Sequence, residues 1–390
     1  MFQKRTIRDL EVHQKRALVR VDFNVPMNEQ GEITDSTRIE RALPTIVYLL
    51  DHGAKVILMS HLGRPTPGAA APKTTLKPAA LVLEKLLGRP VRFADVHIDE
   101  CDSGVTHALA DGEVLLLENT RLNDGEKTND PAFVKHLAAF GDCFVNDAFA
   151  SWQPHASTFG VAQLLPSAAG LLMEQEFTML GQVLEAPKRP FVAILGGAKI
   201  STKLGVIRNL LPKVDSLLIG GAIANNVLAA QKIPVGKSEV EPEALKLIEG
   251  MTDNKLRLPL DVLISKRVNQ SAGVAVHAVG SIEPDDIIYD IGPETVELYS
   301  RILRGAKTIV WNGPLGLFEE SAFANGTAQI ARVIAGVKAY TVAGGGETIE
   351  ALKQLGLEGM ISFVSTGGGA MLKVLEGSSF PCVDVLPNRS

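Results

Sequence analysis

Residues 56–65 read VILMSHLGRP. Val56 to Ser60 form an apolar run of strand length without polar alternation, as in a strand covered on both faces. The run ends abruptly on His61, Gly63 and Arg64, two cationic side-chain types around a glycine, before Pro65. Polar residues at one strand end are ordinary loop chemistry. The reading therefore turns on whether other strand ends repeat the pattern.

Similar apolar runs recur along the chain. In the first half they are ALVRVDF (17–23), KVILMS (55–60), VLLLEN (114–119) and CFVNDA (143–148). In the second half they are FVAILGG (191–197), SLLIGG (216–221), DVLIS (261–265), TIVWNG (308–313), AYTVAGGG (339–346) and ISFVSTGGG (361–369). Amphipathic stretches such as RIERALPTIVYLLDHG and LKPAALVLEKLLG separate them and close at a glycine, as helix ends often do. Strand alternating with helix predicts an α/β fold with parallel sheets. In the middle, SAAGLLMEQEFTMLGQVLEAPKRP sets Met173, Phe177, Leu180 and Leu184 on one helical face, with Pro187 and Pro190 breaking the pattern before the next strand. This predicts a helix joining two domains, the first over 1–168 and the second, with the helix, over 169–376. RPTPGAAAPKTT (64–75) reads as a mobile loop.

Composition narrows the function classes. At 390 residues the chain is too long for one ordinary core. Its net charge of −5 offers no nucleic-acid footprint, so any anion site must be a local concentration of charge. Cys101, Cys143 and Cys382 are scattered, without a C-x-x-C, which suits a reducing compartment. With no secretory pattern at the start and no apolar run of spanning length, the expectation is a cytoplasmic protein with no membrane partner.

In open parallel sheets ligands bind beyond the carboxyl ends of the strands. The first half places Arg20, Asp22 and Asn24, then His61 and Arg64, then Arg121 at such ends, with Arg38 a little beyond the first. Arginine forks hold carboxylate or phosphate oxygens in pairs, and Asp and Asn recognise hydroxyls, so the ligand implied is small, anionic and hydroxylated. The second half ends its strands on glycines: GGAK (196–199), GG (220–221), NGPLG (312–316), GGGET (344–348) and STGGG (365–369). One glycine pair is more often a turn. Five in a row predict backbone N–H groups brought close to a nucleotide or polyphosphate. Lys199 and Lys203, four residues apart, are expected on one face of the helix they begin. There is no G-x-x-x-x-G-K-[ST] and no G-x-G-x-x-G after a strand, which disfavours a P-loop enzyme and a nicotinamide-dependent oxidoreductase. A basic crevice and a glycine-lined crevice fit phosphoryl transfer between two bound anions. A binding or regulatory protein without turnover is the rival reading.

VRVDFNVP (19–26), SHLGRP (60–65), LLLENTR (115–121), GGAKISTKL (196–204), WNGPLGLFE (311–319), AGGGET (343–348) and VSTGGGA (364–370) together resemble, in order, the signatures of phosphoglycerate kinase. The resemblance implies two Rossmann-like domains with parallel sheets joined by a hinge helix, residues 377–390 returning to the first domain, and domain closure around the substrates. It implies reversible phosphoryl transfer from 1,3-bisphosphoglycerate to Mg-ADP, giving 3-phosphoglycerate and ATP, by a monomer. For 3-phosphoglycerate it implies Asp22, Asn24, Arg38, His61, Leu62, Gly63, Arg64, Arg121 and His155. For the nucleotide it implies Gly196, Gly197, Lys203, Gly221, Asn312, Pro314, Glu319, Gly345, Gly346, Glu347 and Thr348. Arg38, Lys199, Lys203, Gly346 and Gly369 are the implied catalytic residues, and Glu347 the residue that holds Mg2+. Two departures stand out. Glu347 takes the place of the family's usual Asp. NDAFASWQPHAS (146–157) lacks the usual His-Arg-x-His, leaving Gln153, Pro154 and His155 and one arginine fewer.

Overall fold

The computed structural model describes residues 2–65, 74–268 and 273–389; most of the expected loop, residues 66–73, lies outside them. In chain order the strands are β1 Arg16–Arg20, β2 Lys55–Met59, β3 Val91–Phe93, β4 Val114–Leu116, β5 Cys143–Asn146, β6 Ser167–Ala169, β7 Phe191–Leu195, β8 Ser216–Ile219, β9 Leu256–Arg257, β10 Asp261–Ser265, β11 Ala275–Ala278, β12 Ile287–Ile291, β13 Thr308–Asn312, β14 Tyr340–Gly344 and β15 Phe363–Ser365. The chain divides into two compact units, Met1–Thr178 with Ser379–Ser390, and Met179–Ser378.

The first unit holds a six-stranded sheet in the order β3-β4-β2-β1-β5-β6, parallel throughout. Parallel pairing sends the ends of β1, β2, β4 and β5 to one edge. Val19, Val56, Leu58, Val114 and Val145 pack with Ile39, Ile46 and Leu49 of the helix Thr37–Asp51 and Leu83 of the helix Lys77–Leu87. The second helix stops at Gly88, which takes φ +64° and donates its N–H to Glu84 O at 2.9 Å, a cap that other residues adopt only with strain. The C-terminal segment belongs to this unit. Arg5 N–H donates to Pro387 O at 2.8 Å, and the Phe380 ring stacks on Phe149 with centroids 5.6 Å apart. Strands β3 and β6, three residues each, escape sequence reading because neither carries an apolar run of strand length.

The linking helix spans Leu171–Glu185. Its first turn is held in the first unit. Asp147 Oδ1 accepts from Leu172 N (2.9 Å) and Met173 N (3.2 Å), and Thr45 Oγ1 accepts from Leu171 N (2.9 Å). The division between the units falls inside this helix, between Thr178 and Met179.

The second unit holds another fully parallel six-stranded sheet, β15-β14-β13-β7-β8-β9. Its core includes Ile194, Leu218, Ile309 and the wholly buried Trp311, packed with Tyr299 and Leu303 of the helix Pro293–Gly305 and Ile330 and Ile334 of the helix Asn325–Gly336. The α/β class with two parallel sheets is thus what the apolar runs predict. One run departs from it. Residues 261–265 form β10, the centre of a separate antiparallel sheet, β11-β10-β12. Its partners are invisible as apolar runs: β11 alternates half-buried with exposed residues, and β12 is only half-buried over its first three. Among the described residues no helix is long and apolar enough to cross a membrane.

Candidate active site

At the carboxyl edge of the first sheet, β1 delivers Arg20 and Asp22, β2 delivers His61, and the turn after β4 delivers Arg121. Asp22 is buried and forms an ion pair with Arg38, whose Nη1 lies 2.8 Å from Oδ2. Its Oδ1 accepts from Asn24 N at 3.0 Å. Asn24 Oδ1 in turn accepts from Gly63 N at 2.8 Å, so its Nδ2 remains the donating end. Gly63 takes φ +65°, and its carbonyl accepts from Arg121 Nη1 at 2.8 Å. Asn119 fastens the β2 and β4 ends together: Nδ2 donates to Leu62 O (2.8 Å), and Oδ1 accepts from Leu62 N (3.2 Å) and Arg121 N (3.0 Å). Leu62 is buried and serves this frame with its backbone, while Arg64 is exposed. The Arg121 Nε is buried without a partner among the described residues, a donor beside which an anion is favoured.

Two sequence expectations change here. The sequence groups His61 with the cations, yet it is 4% exposed, and burial among Arg20, Arg121, Arg38 and His155 drives its pKa far below the usual range. It is a neutral ring. Arg20 has the look of a free strand-end cation but is wholly buried. It donates from Nε to Ser157 Oγ (2.8 Å), from Nη1 to Val21 O, and from Nη2 to His61 Nδ1 (2.9 Å). His155 does arrive at this cluster. Its ring is half-buried beside Glu126, Arg121 and Arg20, and burial lowers its pKa, with Glu126 opposing. Glu126, fully buried, and Ser157 escape sequence reading. In DGEKT the glutamate reads as one more charge on a solvated turn, and nothing local reveals that the fold closes over it.

In the second unit, β7, β8, β13 and β14 end on glycine or run straight into one, and β15 reaches Gly367 after Ser365 and Thr366. The glycines are of two kinds. Gly196 and Gly197 donate their N–H groups to Asn312 O (3.0 Å) and Pro314 O (2.8 Å), Gly221 donates to Leu315 O (2.9 Å), and Gly313 to Thr348 Oγ1 (2.7 Å). These glycines allow close backbone packing. A Cβ on Gly196 would stand 1.9 Å from Pro314 O, and one on Gly313 2.6 Å from Lys203 Nζ at φ +91°. The expectation that all five glycine ends offer N–H groups to an anion is therefore corrected for these positions. Gly346 and Gly369 differ: both are exposed, open helices (Gly346–Gln354 and Gly369–Glu376), and would place a Cβ in open space. Asn312 and Thr348 are buried supports. Asn312 Nδ2 donates to Gly344 O at 2.7 Å, behind Gly345.

Lys199 and Lys203 do not share a helical face. The helix begins only at Leu204, with Lys203 as its N-cap, because the chain turns between Gly196 and Lys203 and pins the turn with the fully buried Ile200. Lys199 is exposed. Lys203 folds back so that Nζ donates to Gly196 O and to Asn312 O (3.3 Å), and burial lowers its pKa to about 8 against the opposing pull of Glu347. Glu347 Oε2 lies 3.7 Å from the Cβ position of Gly197. Beside this lysine a cavity of about 320 Å3 is walled by Leu228, Val262, Ile288, Tyr289 and Leu317, with Gly197, Gly221, Pro314, Glu319 and Glu347 also in its lining. An apolar wall with carboxylates in its lining suits a flat heterocycle carrying hydroxyls, and the Lys203 ammonium next to Gly197 is the group that suits phosphates. Among the described residues no three or more His, Cys, Asp and Glu side chains are grouped to hold a metal. What this edge offers a metal is the carboxylate of Glu347, in the first turn of the helix Gly346–Gln354. That fits magnesium, a hard ion usually bound by one or two carboxylates together with substrate phosphates.

Comparison with known proteins bears on this arrangement. The family model described as phosphoglycerate kinase matches residues 7–378. The phosphoglycerate kinase of Moorella thermoacetica is 50% identical over 393 residues, covering 99% of this chain and 100% of that protein. That of Rubrobacter xylanophilus is 51% identical over 393 residues, covering 100% and 99%. Among solved structures, phosphoglycerate kinase from Coxiella burnetii superposes with a TM-score of 0.88 at 39% identity over 98% of each chain. The enzyme from Pyrococcus horikoshii OT3 gives 0.84 at 32% identity, over 99% of this chain and 98% of that one.

Proposed function

Because the chain belongs to the phosphoglycerate kinase family, we propose that its first unit holds the phosphoglycerate and its second unit the nucleotide. The reaction is reversible transfer of a phosphoryl group from 1,3-bisphosphoglycerate to ADP, giving 3-phosphoglycerate and ATP. The observation that carries the assignment of sites is Lys203, a buried ammonium at the glycine edge beside an apolar-walled cavity.

In the first unit Asp22 and the Nδ2 of Asn24 take the glycerate hydroxyl. Arg64, Arg121 and His155 take its phosphate, His61 donates a neutral hydrogen bond, and Leu62 and Gly63 shape the floor. Arg38, steered by Asp22, balances charge on the transferring group, since a fixed guanidinium is worth most where charge develops. In the second unit Lys203 bonds the nucleotide phosphates, with Gly196 and Gly197 packing the turn that aims it. Gly221, Pro314 and Glu319 border the nucleoside. Gly345, Gly346, Thr348 and Gly369 bring backbone close to the phosphoryl oxygens, and Lys199, exposed nearby, reaches the same anions. Asn312 supports rather than touches the ligand. Magnesium entering with the nucleotide would be held by Glu347 and would neutralise phosphate charge. Direct transfer also requires the two anions to meet with water excluded, the domain closure expected of such a kinase. We read the chain as a cytoplasmic monomer, which light scattering on the purified protein tests for mass.

The deciding measurement is ATP formation from 1,3-bisphosphoglycerate and Mg-ADP. Nucleotide affinity without turnover would favour a binding protein that has kept both sites.

A further inference from the structure

A chain of buried hydrogen bonds runs behind the substrate edge of the first unit. Glu126, 0% exposed, accepts from Ser157 N (3.0 Å) and Ser157 Oγ (2.6 Å). A serine hydroxyl has one proton, and here it goes to Glu126. The Oγ lone pair is then left to accept from Arg20 Nε, 2.8 Å away. Arg20 has five donors and no acceptor, so the 2.9 Å contact between its Nη2 and His61 Nδ1 has only one sense. Nδ1 accepts, and the single ring proton of His61 sits on Nε2.

We propose that Glu126, acting through Ser157 and Arg20, is a positioning residue that fixes His61 as the Nε2–H tautomer for substrate binding. Its role as a positioning residue rests on the reading that this edge binds the phosphoglycerate. The geometry explains why a fully buried arginine stands at the end of β1: it sets the proton of the neighbouring histidine rather than meeting the ligand. Arg20 touches the His61 ring, and Arg121, Arg38 and His155 act on it electrostatically, all opposing its protonation. Asp22 and Glu126 lie close to Arg20 and balance its charge. A donor at Nε2 that does not titrate gives the site one hydrogen bond of constant strength, whereas a free histidine would gain or lose a proton near pH 6.5.

The test is 15N NMR of the His61 ring in the full chain, joined to steady-state kinetics. The wild type is expected to show Nδ1 bare and Nε2 protonated from pH 5.5 to 8. Nδ1 protonated in the wild type overturns the proposal without any variant. In Ser157→Ala and Glu126→Ala the ring is expected to populate the other tautomer or to titrate. KM for 3-phosphoglycerate should rise about fivefold or more while KM for ATP is unchanged, and Glu126→Gln, which keeps an acceptor for Ser157, should restore most of the loss. If the variants fold with the wild-type tautomer and KM, the positioning role is overturned. Adding 3-phosphoglycerate should shift the Nε2–H signal of the wild type. If it does not, while the tautomer is as stated, the substrate-edge reading falls and the positioning role falls with it, leaving the hydrogen-bond chain as a structural fact.

Discussion

Arg38 reaches Asp22 through a single contact, Nη1 to Oδ2 at 2.8 Å, with the carboxylate buried and the arginine about a third exposed. The pair leaves much of the guanidinium fork available while fixing its direction. Arg38→Ala is expected to lower kcat by about a hundredfold or more, in line with loss of a preorganised transition-state donor. KM for either substrate should change much less. A variant altered only in KM would reduce Arg38 to plain binding. Asp22→Asn, which keeps the acceptor but removes the charge, should fall between the two.

Lys203 gives the nucleotide site a pH dependence. Its pKa is lowered to about 8 by burial, so the free protein carries the charge at pH 7 and has largely lost it by pH 9. Affinity for Mg-ADP is expected to weaken about tenfold across that interval, near the lower limit for one charge-assisted hydrogen bond. Calorimetric titration at pH 7, 8 and 9 measures it. Lys203→Met should bind weakly at every pH, without the trend. A flat wild-type profile would remove Lys203 from phosphate binding.

The two kinds of glycine separate packing from ligand approach. Gly313→Ala forces a Cβ to 2.2 Å from Gly196 O at φ +91°, so it should cost several kcal/mol of stability and displace Lys203. Gly346→Ala and Gly369→Ala meet nothing within 4 Å among the described residues. They should melt within about a degree or two of the wild type yet lose kcat, because only a ligand would meet the new methyl. Unchanged kcat in both would mean these glycines serve the turns alone.

Asp147 ties stability to pH through the linking helix. Wholly buried, it has its pKa raised to about 7 by burial, against the opposing hydrogen bonds of Thr45, Met173 and Leu172, from an unfolded value near 3.8. Between those values the folded state holds a proton that the unfolded state has released, so stability falls as pH rises through the interval. A tenfold difference in proton affinity between the two states is worth roughly 1.4 kcal/mol. Asp147→Asn, which still offers Oδ1 to Leu172 N and Met173 N, should flatten the decline in chemical denaturation between pH 4 and 7. A variant with the same slope as the wild type would assign the trend to other groups, Asp290 first, whose pKa is also raised to about 7.

Much of this was legible in the chain. Strand ends can be read as site positions because parallel pairing puts them all on one edge, and that is how Asp22, His61 and Arg121 come together. The protonation and the commitments of the same residues were not legible. His61 and Arg20 look like two cations in sequence; their 2.9 Å contact makes one a neutral acceptor of the other. The even spacing of Lys199 and Lys203 suggested a helix, but a turn held by Ile200 delays it and gives the two lysines opposite exposures. Glu126 owes its role to burial by residues about thirty positions away, which no local pattern carries.

His155 follows Gln153 and Pro154 in the loop where the resemblance leads one to expect a further arginine, and its setting fixes what it contributes. Its backbone N–H donates to Thr158 Oγ1 at 3.1 Å, anchoring the turn Ala156–Gly160 and placing the ring within the electrostatic reach of Arg121 and Arg20. From the sequence, substrate affinity is expected to fall as pH rises through an ordinary histidine value near 6.5. Burial and the neighbouring Arg121, Arg20 and Lys127 lower that value, against the pull of Glu126, so the dependence moves to more acid pH. Arg20 does not fill the gap either, since it is 1% exposed and each of its three nitrogens already donates to the protein. The expected outcome is a dissociation constant for 3-phosphoglycerate that differs between wild type and His155→Gln only below about pH 6.5. Comparing the two proteins at each pH cancels the titration of the substrate's own phosphate. Pro154→Arg should tighten binding about 10-fold or more at every pH, the worth of one hydrogen bond to a charged group. A wild-type advantage over His155→Gln that persists at pH 8 would show the ring acting through its neutral form, and no gain from Pro154→Arg would show that the site does not lack a cation.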